Sequence, residues 1–152
     1  MSTLLDEFKA ITTSLNEAGI DYAVCGGWAM AIHGLPRATM DIDLLILATD
    51  LDRVLQIARI NGFDIEGLPL HFAIEIRRVS KVDQATKQLI TLDLLLVSED
   101  EEDIWTGRKK ISWKEGETSV VSRESLIKMK VLAARTQDLA DIEKLREVAH
   151  ES

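Results

Sequence analysis

The sequence has only one cysteine among its 152 residues. Cys25 therefore has no partner for a disulfide within the chain, and no cysteine cluster for zinc exists. Its apolar setting predicts a buried, inert thiol. No stretch approaches the ~20 apolar residues that cross a bilayer, and no basic segment precedes an apolar one at the start. We expect a cytoplasmic protein that does not enter a membrane.

Basic residues are also few, with 18 Lys and Arg against 26 Asp and Glu and a net charge of −8. This balance argues against an extended basic surface for nucleic acid, and it suits a small molecule, a cationic substrate or a protein partner. A hydrophobic content of 46% fits one globular domain over residues 1–152. We expect a core over residues 1–121 and C-terminal helices over 122–150.

Apolar spacing predicts alternating helices and strands. Helices are expected at residues 3–18, from about Trp28, at 51–60 after Thr49 as N-cap, at 122–135 and at 136–148. Strands are expected at residues 20–25, 40–47, 63–65, 71–79 and 89–97, with a marginal hairpin around Gly116. The most apolar strand, residues 89–97, is placed at the centre of the sheet. An acidic run at residues 98–103 reads as a solvated loop or a helix start.

Asp41 and Asp43 alternate with apolar residues on one predicted strand, so their carboxylates share a face ~7 Å apart. Solvent-facing acids on a half-buried sheet are the plainer interpretation. Asp93 weakens it, because a charge inside the apolar run of residues 91–97 is unfavourable unless it is paired or binds a metal. Glu75 either neighbours these acids or lies on a solvated face, and the solvated face is favoured.

Gly26 and Gly27 lie where a strand meets a helix, which lets backbone approach a ligand and offers amides to an anion. An ordinary tight turn would use the same pair. Lys130 has apolar neighbours one helical turn away, so its ammonium either reaches back to water or points into a pocket that receives negative charge. We assign structural roles to His33, and to a cluster of Arg135, Asp138 and Asp141.

Three carboxylates on one sheet face repel each other, and a divalent cation with oxygen ligands is the simplest stabiliser. Magnesium usually completes its shell with water and substrate phosphates, which the glycine amides could hold from the other side. Such groups are typical of phosphoryl or nucleotidyl transfer with two metal ions ~3.5–4 Å apart. A plain structural domain would require the three aspartates to be unrelated in space.

The order Gly26-Gly27, then Asp41-Ile42-Asp43, then Asp93 resembles the nucleotidyltransferase superfamily of the DNA polymerase beta type. The segment 26–43, with Gly-Gly-Trp-Ala at its start, looks most like the small bacterial branch that includes aminoglycoside and lincosamide nucleotidyltransferases and toxin-like members of abortive-infection and toxin-antitoxin systems. The segment 130–141 is similar to the C-terminal helical motif of the toxin-like members. The resemblance covers roughly residues 20–145.

The resemblance implies an α/β (α+β) nucleotidyltransferase fold, a mixed sheet flanked by helices with two C-terminal helices. It implies that Asp41 and Asp43 bind magnesium, and that Asp93 joins the metal site and helps to deprotonate an acceptor hydroxyl. The two glycines would lie against the triphosphate of ATP or another nucleotide. Lys130 and Arg37 would neutralise it.

The expected activity is magnesium-dependent transfer of a nucleoside monophosphate to a hydroxyl of a small molecule, tRNA or protein, with release of pyrophosphate. Acidic character favours a cationic small molecule, whereas the C-terminal motif favours a toxin-like role on tRNA or protein. Many members have serine after the first glycine, and here Gly27 and Trp28 follow instead. The alternative is therefore a catalytically inactive nucleotidyltransferase-like binding module or toxin-antitoxin partner.

Overall fold

The computed structural model describes residues 4–35, 41–71, 74–113, 116–133 and 141–147, without the side chains of 131–133. These residues form one mixed β-sheet with helices packed against it. The helices are α1 (Leu4–Glu17), α2 (Gly26–Ile32), α3 (Leu51–Ile60), α4 (Glu102–Thr106) and α5 (Arg123–Ala133), and residues 141–147 are also helical. The strands are β1 (Ala23–Cys25), β2 (Asp41–Leu47), β3 (Ile65–Glu66), β4 (Leu70–His71), β5 (Glu75–Val82), β6 (Leu89–Val97), β7 (Lys109–Trp113) and β8 (Gly116–Val120). The predicted fold class is confirmed.

The strand order is β3-β5-β6-β2-β1-β8-β7, and β4 also pairs with β5. Strand β6 runs parallel to β2, and β1 runs parallel to β8, while the other pairs are antiparallel. The central position predicted for β6 is correct, and seven of its nine residues are buried. A strand covered on both faces reads as a nearly continuous apolar run, which explains why its bounds were visible in the sequence.

The register of the paired strands assigns side chains to two faces. Asp43 of β2 lies between Cys25 of β1 and Asp93 of β6, and directly paired residues share a face of a sheet. Ile42 and Leu92 are paired with each other one position away and therefore point to the opposite face. The acids thus lie on one face, which we call the acidic face.

Helix α1 covers the face opposite to the acids. Lys81 of β5 lies two residues from Val79, which pairs with Leu92, so Lys81 points away from the acidic face. Its ammonium donates to Glu7 Oε2 of α1 at 3.0 Å and to the carbonyl of Asn61, just after α3, at 2.9 Å. These bonds hold α1 and the end of α3 against the sheet.

The core is continuous across both faces of the sheet. It contains Phe8 stacked on Trp28 with ring centroids 4.4 Å apart, and Trp113 edge-on to Phe8 at 6.1 Å. The largest fully buried aliphatic side chains are Ile11, Leu15, Met30, Ile42, Leu44, Leu45, Ile46, Leu92, Leu94 and Ile104. No helix in the described part of the chain has the length and apolarity that crossing a membrane requires.

Three predicted boundaries are wrong. Helix α2 begins at Gly26 rather than near Trp28, because Gly26 itself makes the turn out of β1. Thr49 does not cap α3, since a single 3₁₀ turn over Ala48–Asp50 intervenes between the strand and the helix. The strand predicted at residues 71–79 is two strands, and β5 continues to Val82 because it forms a hairpin with β6.

Candidate active site

Asp43 and Asp93 are direct neighbours in the two central parallel strands. Asp41 lies two residues before Asp43 and opposite Thr91, so all three acids are on the acidic face. Asp93 is buried, Asp43 is partly buried and Asp41 is exposed. The arrangement therefore runs from solvent at Asp41 to the interior at Asp93.

The Asp43 and Asp93 carboxyl groups are hydrogen-bonded to each other. Burial, followed by the charges of Asp93 and Asp41 and this hydrogen bond, raises the pKa of Asp43 from 3.8 to about 7, although Arg78 opposes the shift. Two carboxylates in contact cannot both ionise easily, because their charges repel in a poorly solvated place. Without a cation, Asp43 therefore retains a proton through much of the range below neutral pH.

This protonation makes the stability of the metal-free protein depend on pH. The folded chain binds a proton at Asp43 more tightly than the unfolded chain, so this contribution is present at low pH and is lost as the pH rises from about 4 to 7. Asp43 is partly exposed, so we expect only about 2 kcal/mol of the ~4 kcal/mol that three pKa units represent. Urea unfolding in EDTA at pH 5 and pH 8 measures it.

The control for this prediction is Asp43→Asn, which cannot titrate. The variant should gain about 2 kcal/mol relative to the wild type between pH 5 and pH 8. A difference between the two proteins that does not change with pH would show that Asp43 ionises normally.

Arg78 of β5 forms a two-bond ion pair with Asp93. Its Nε and one terminal nitrogen donate to the two carboxylate oxygens at 2.7 and 3.0 Å. This hydrogen bonding, more than any other influence, raises the pKa of Arg78, and the charges of Asp41 and Asp43 add to the effect. The charge of Arg78 therefore interacts with all three acids.

The sequence interpretation did not identify Arg78. The signal in the sequence was the mostly polar stretch at residues 83–88, where the structure has the turn of the β5–β6 hairpin. Val82 pairs with Leu89 next to this turn, and the pairing continues residue by residue away from the turn until Arg78 lies directly opposite Asp93. Glu75 lies opposite Leu96 and pairs with Arg77 at 2.8 Å, so it does not join the acids.

Gly26 lies against the Asp43 carboxylate. Its φ is +66°, a conformation that side chains disfavour, and a Cβ placed there would overlap Asp43 Oδ2 and lie 2.9 Å from Asp43 Cγ. Gly27 is the next residue of α2 and is buried. The absence of a side chain at position 26 is thus what leaves room for the acid.

Gly26→Ala should lower the free energy of unfolding by about 2 kcal/mol, since it combines a strained φ with the collision at Asp43. Gly19→Ala is the matched control, because Gly19 has φ +70° and open space around its Cα. Urea unfolding should show a loss of about 1 kcal/mol for the control. Equal losses in the two variants would mean that the neighbouring carboxylate moves away freely.

Lys130 of α5 is buried and its Nζ donates to Asp141 Oδ2 at 2.9 Å. The ammonium therefore does not reach back to water, and it has an acid partner inside the protein. Burial and then the charges of Asp43 and Asp93 raise the pKa of the Cys25 thiol, while Lys130 lowers it.

The remaining predicted residues divide into described and undescribed ones. His33 Nε2 donates to the Val121 carbonyl at 2.9 Å, and burial lowers the pKa of its imidazole, which agrees with a structural role. Arg37, Arg135 and Asp138 lie outside the described residues. Lys130 and Asp141 are described, and they form an ion pair with each other.

Trp28, the residue after Gly27, lies in the core. Its ring stacks on Phe8, and its indole N–H is buried without a hydrogen-bond partner in the described part of the structure. The side chain at this position therefore offers no group to a phosphate. Any phosphate contact from this turn must come from the backbone.

The donor set fits a divalent cation in its chemistry. Asp41, Asp43 and Asp93 supply only carboxylate oxygens, which are the ligands that hard divalent cations such as Mg²⁺ take. No group of three or more His, Cys, Asp or Glu side chains within the described ranges is placed to hold a metal ion as it stands. Both oxygens of Asp93 are instead bonded to Arg78.

A cavity of about 340 Å³ lies away from the acids, at the other end of β1. Its lining includes Tyr22, Arg108 and Lys110. Tyr22 and Cys25 mark opposite ends of the strand, so this cavity does not open onto the acid pair. We place the candidate site by its carboxylates.

Several solved structures with a similar fold are those of nucleotidyltransferases or of a nucleotidyltransferase-like protein. The lincosamide antibiotic adenylyltransferase LnuA, bound to lincomycin, superposes with a TM-score of 0.64 at 16% identity over 93% of this chain and 96% of its own. ANT(2")-Ia in complex with adenylyl-2"-tobramycin gives 0.66 at 13% identity over 97% and 95%. An antigenic nucleotidyltransferase-like protein from Paracoccidioides brasiliensis gives 0.60 at 21% identity over 91% and 74%.

No family model matches the sequence, and no relative is found among curated proteins. The likeness is therefore one of fold, at identities of 13–21%. Within that limit, the chain has the fold of the nucleotidyltransferases that the sequence motif resembled.

Proposed function

We propose that this protein is a magnesium-dependent nucleotidyltransferase that moves a nucleoside monophosphate from a triphosphate to a hydroxyl and releases pyrophosphate. The observation that carries the proposal is the pair of facing acids, Asp43 and Asp93, on the central parallel strands of a nucleotidyltransferase fold. Asp41 on the same face supplies a third carboxylate. A structural protein would gain no stability from acids that repel each other.

Asp41 and Asp43 would hold magnesium, which when bound would neutralise negative charge on the transferred phosphoryl group. Asp93 would accept the proton of the acceptor hydroxyl as general base. It is suited to this role because it is buried and lies directly beside Asp43, which would hold the magnesium ion. Arg78 donates a hydrogen bond to each of the two Asp93 oxygens.

The backbone of Gly26 and Gly27 would lie against the triphosphate, since Gly26 already approaches Asp43 as closely as a residue without a side chain can. The Lys130 ammonium bonds to Asp141 rather than to the phosphates. Its positive charge would act on the phosphates at a distance, through the electrostatic field at the acidic face. Arg37 is proposed as a further phosphate contact. The nucleotide would then lie at the end of β2 where Asp41 is exposed.

For the acceptor we propose a small molecule rather than tRNA or protein. The net charge of −8 favours a cationic acceptor, and two of the similar structures are bound to lincomycin and to adenylyl-2"-tobramycin. A cationic acceptor would also meet the exposed carboxylate of Asp41 at the mouth of the site.

Calorimetry with ATP, GTP, CTP and UTP, with and without magnesium, tests nucleotide binding. The expected result is heat with at least one triphosphate in the presence of magnesium and none in EDTA. Triphosphates that bind are then incubated with tobramycin, lincomycin, bulk tRNA and carrier protein, and transfer of labelled nucleoside monophosphate is measured. Absence of heat under every condition would overturn the proposal.

The second candidate is an inactive nucleotidyltransferase-like module that binds a partner or a nucleotide. The observation in its favour is Gly27, which stands where many members of the resembled superfamily have a serine and which brings no hydroxyl to a phosphate. Such a module would bind a triphosphate without consuming it. Pyrophosphate release above the EDTA background would exclude it.

A further inference from the structure

Arg78 occupies the same oxygen atoms that a cation at the acid cluster would use. Its guanidinium donates to both oxygens of Asp93, at 2.7 and 3.0 Å. A two-bond pair of this geometry takes up two of the about four in-plane lone-pair sites through which a carboxylate can bind metal. While the pair is intact, Asp93 can offer a cation only its remaining lone-pair directions.

Arg78 is also placed to leave this position. Its side chain is 43% exposed, whereas that of Asp93 is 8% exposed. The guanidinium therefore sits at the boundary between the buried acid and water. The guanidinium can move outward and stay in contact with water, so its own charge would not become buried.

A divalent cation at the cluster would lie close to Arg78, which already occupies the Asp93 oxygens. Arg78 brings one positive charge to three carboxylates, and all three act on it. A divalent cation would bring two charges to the same place and would repel the guanidinium. The two cations therefore compete for Asp93.

We propose that Arg78 is a positioning residue that holds Asp93 while the site contains no divalent cation, and that it releases at least one Asp93 oxygen when such a cation binds. This inference rests on the proposed function. It explains why no described group of three acids is placed to hold a metal ion, although Asp43 and Asp93 are in contact. The ion pair between Arg78 and Asp93 would therefore compete with metal binding.

The test is calorimetric titration of Mn²⁺ into the full chain after EDTA treatment and without nucleotide. Arg78→Gln should bind Mn²⁺ about 10-fold more tightly than the wild type, since the competing cation is gone. Arg78→Lys keeps the charge but cannot make the two-bond pair, so its affinity should lie closer to that of Arg78→Gln. Arg77→Gln is the matched control, because it removes the same charge from the adjacent residue, which points to the other face and pairs with Glu75.

A second readout is thermal unfolding, in which Mn²⁺ should raise the melting temperature of Arg78→Gln more than that of the wild type. In an Asp93→Asn background, Arg78→Gln should no longer change the affinity for Mn²⁺. This double-mutant cycle attributes the competition to Asp93 rather than to general charge.

Several results would overturn the proposal. The proposal is wrong if the wild type and Arg78→Gln bind Mn²⁺ equally, if Arg78→Gln binds it more weakly, or if Arg77→Gln tightens binding as much as Arg78→Gln does. Each of these results would leave metal binding itself intact. Wild-type affinity in Arg78→Lys would show that charge alone matters and would also overturn it. If neither the wild type nor Arg78→Gln binds Mn²⁺, the magnesium-dependent function fails first and this inference fails with it.

Discussion

Asp43→Asn is expected to reduce magnesium-dependent pyrophosphate release by about 10³-fold, the scale of losing a charged group that stabilises a phosphoryl transition state. The neutral amide keeps the size of the side chain and its place between Cys25 and Asp93. The loss should therefore appear in kcat rather than in folding. Release is measured with the triphosphate that binds the wild type.

The matched control is Asp64→Asn, which removes one negative charge from an exposed position outside the candidate site. Its turnover should equal that of the wild type. Asp43→Asn should unfold at the same temperature as the wild type or higher in EDTA, because it removes the repulsion at the acid pair. Wild-type turnover in Asp43→Asn would show that the acid pair does not serve the reaction.

Lys130→Met is expected to lower the free energy of unfolding by about 3–4 kcal/mol, because it leaves the Asp141 carboxylate buried without its ammonium partner. The two side chains are 8% and 6% exposed, so water cannot replace the lost contact. Lys128→Met on the same helix is the control, since Lys128 is exposed and its loss should change stability little. Urea unfolding measures both.

The double variant Lys130→Met, Asp141→Leu separates stability from activity. Replacing both members by apolar residues should restore most of the stability lost in Lys130→Met. If the double variant is stable and active, Lys130 serves the fold alone. If it is stable and its KM for the triphosphate rises, the charge of Lys130 acts on the nucleotide. Equal stabilities of Lys130→Met and Lys128→Met would show that the ion pair contributes nothing.

The acid pair links stability to activity in a predictable way. A group that destabilises the metal-free protein and is required for the reaction is typical of active sites, where repulsion is retained for function. Asp43 meets the first condition through its raised pKa. The two experiments on Asp43→Asn test both conditions on the same variant.

Local sequence patterns were sufficient for most helices and strands. Strand β6 has the bounds that its apolar run predicted, and α3 begins and ends where its spacing indicated, because these signals depend only on nearby residues. The site acids were recognised for a similar reason. Asp41 and Asp43 alternate with apolar residues, and Asp93 interrupts an apolar run.

Contacts between distant strands were not available from local patterns. That β2 and β6 are parallel neighbours follows from packing across 50 residues of chain, and the contact between Asp43 and Asp93 depends on it. Arg78 was missed because its role arises only once β5 pairs with β6 in the observed register. The burial of Lys130 against Asp141 likewise joins two helical segments whose relative position no periodicity specifies.

The parallel pairing of β2 with β6 has a consequence for how this chain tolerates insertions and deletions. Removing one residue within Asp41–Leu47 would turn Asp43 toward the face that α1 covers and an aliphatic neighbour toward the acidic face. A single deletion would therefore disrupt both the core and the candidate site. The tip at residues 84–88 is exposed and lies beyond the last rung of its hairpin. That tip is where a tag, a reporter or a permuted terminus should be accommodated without disturbing either.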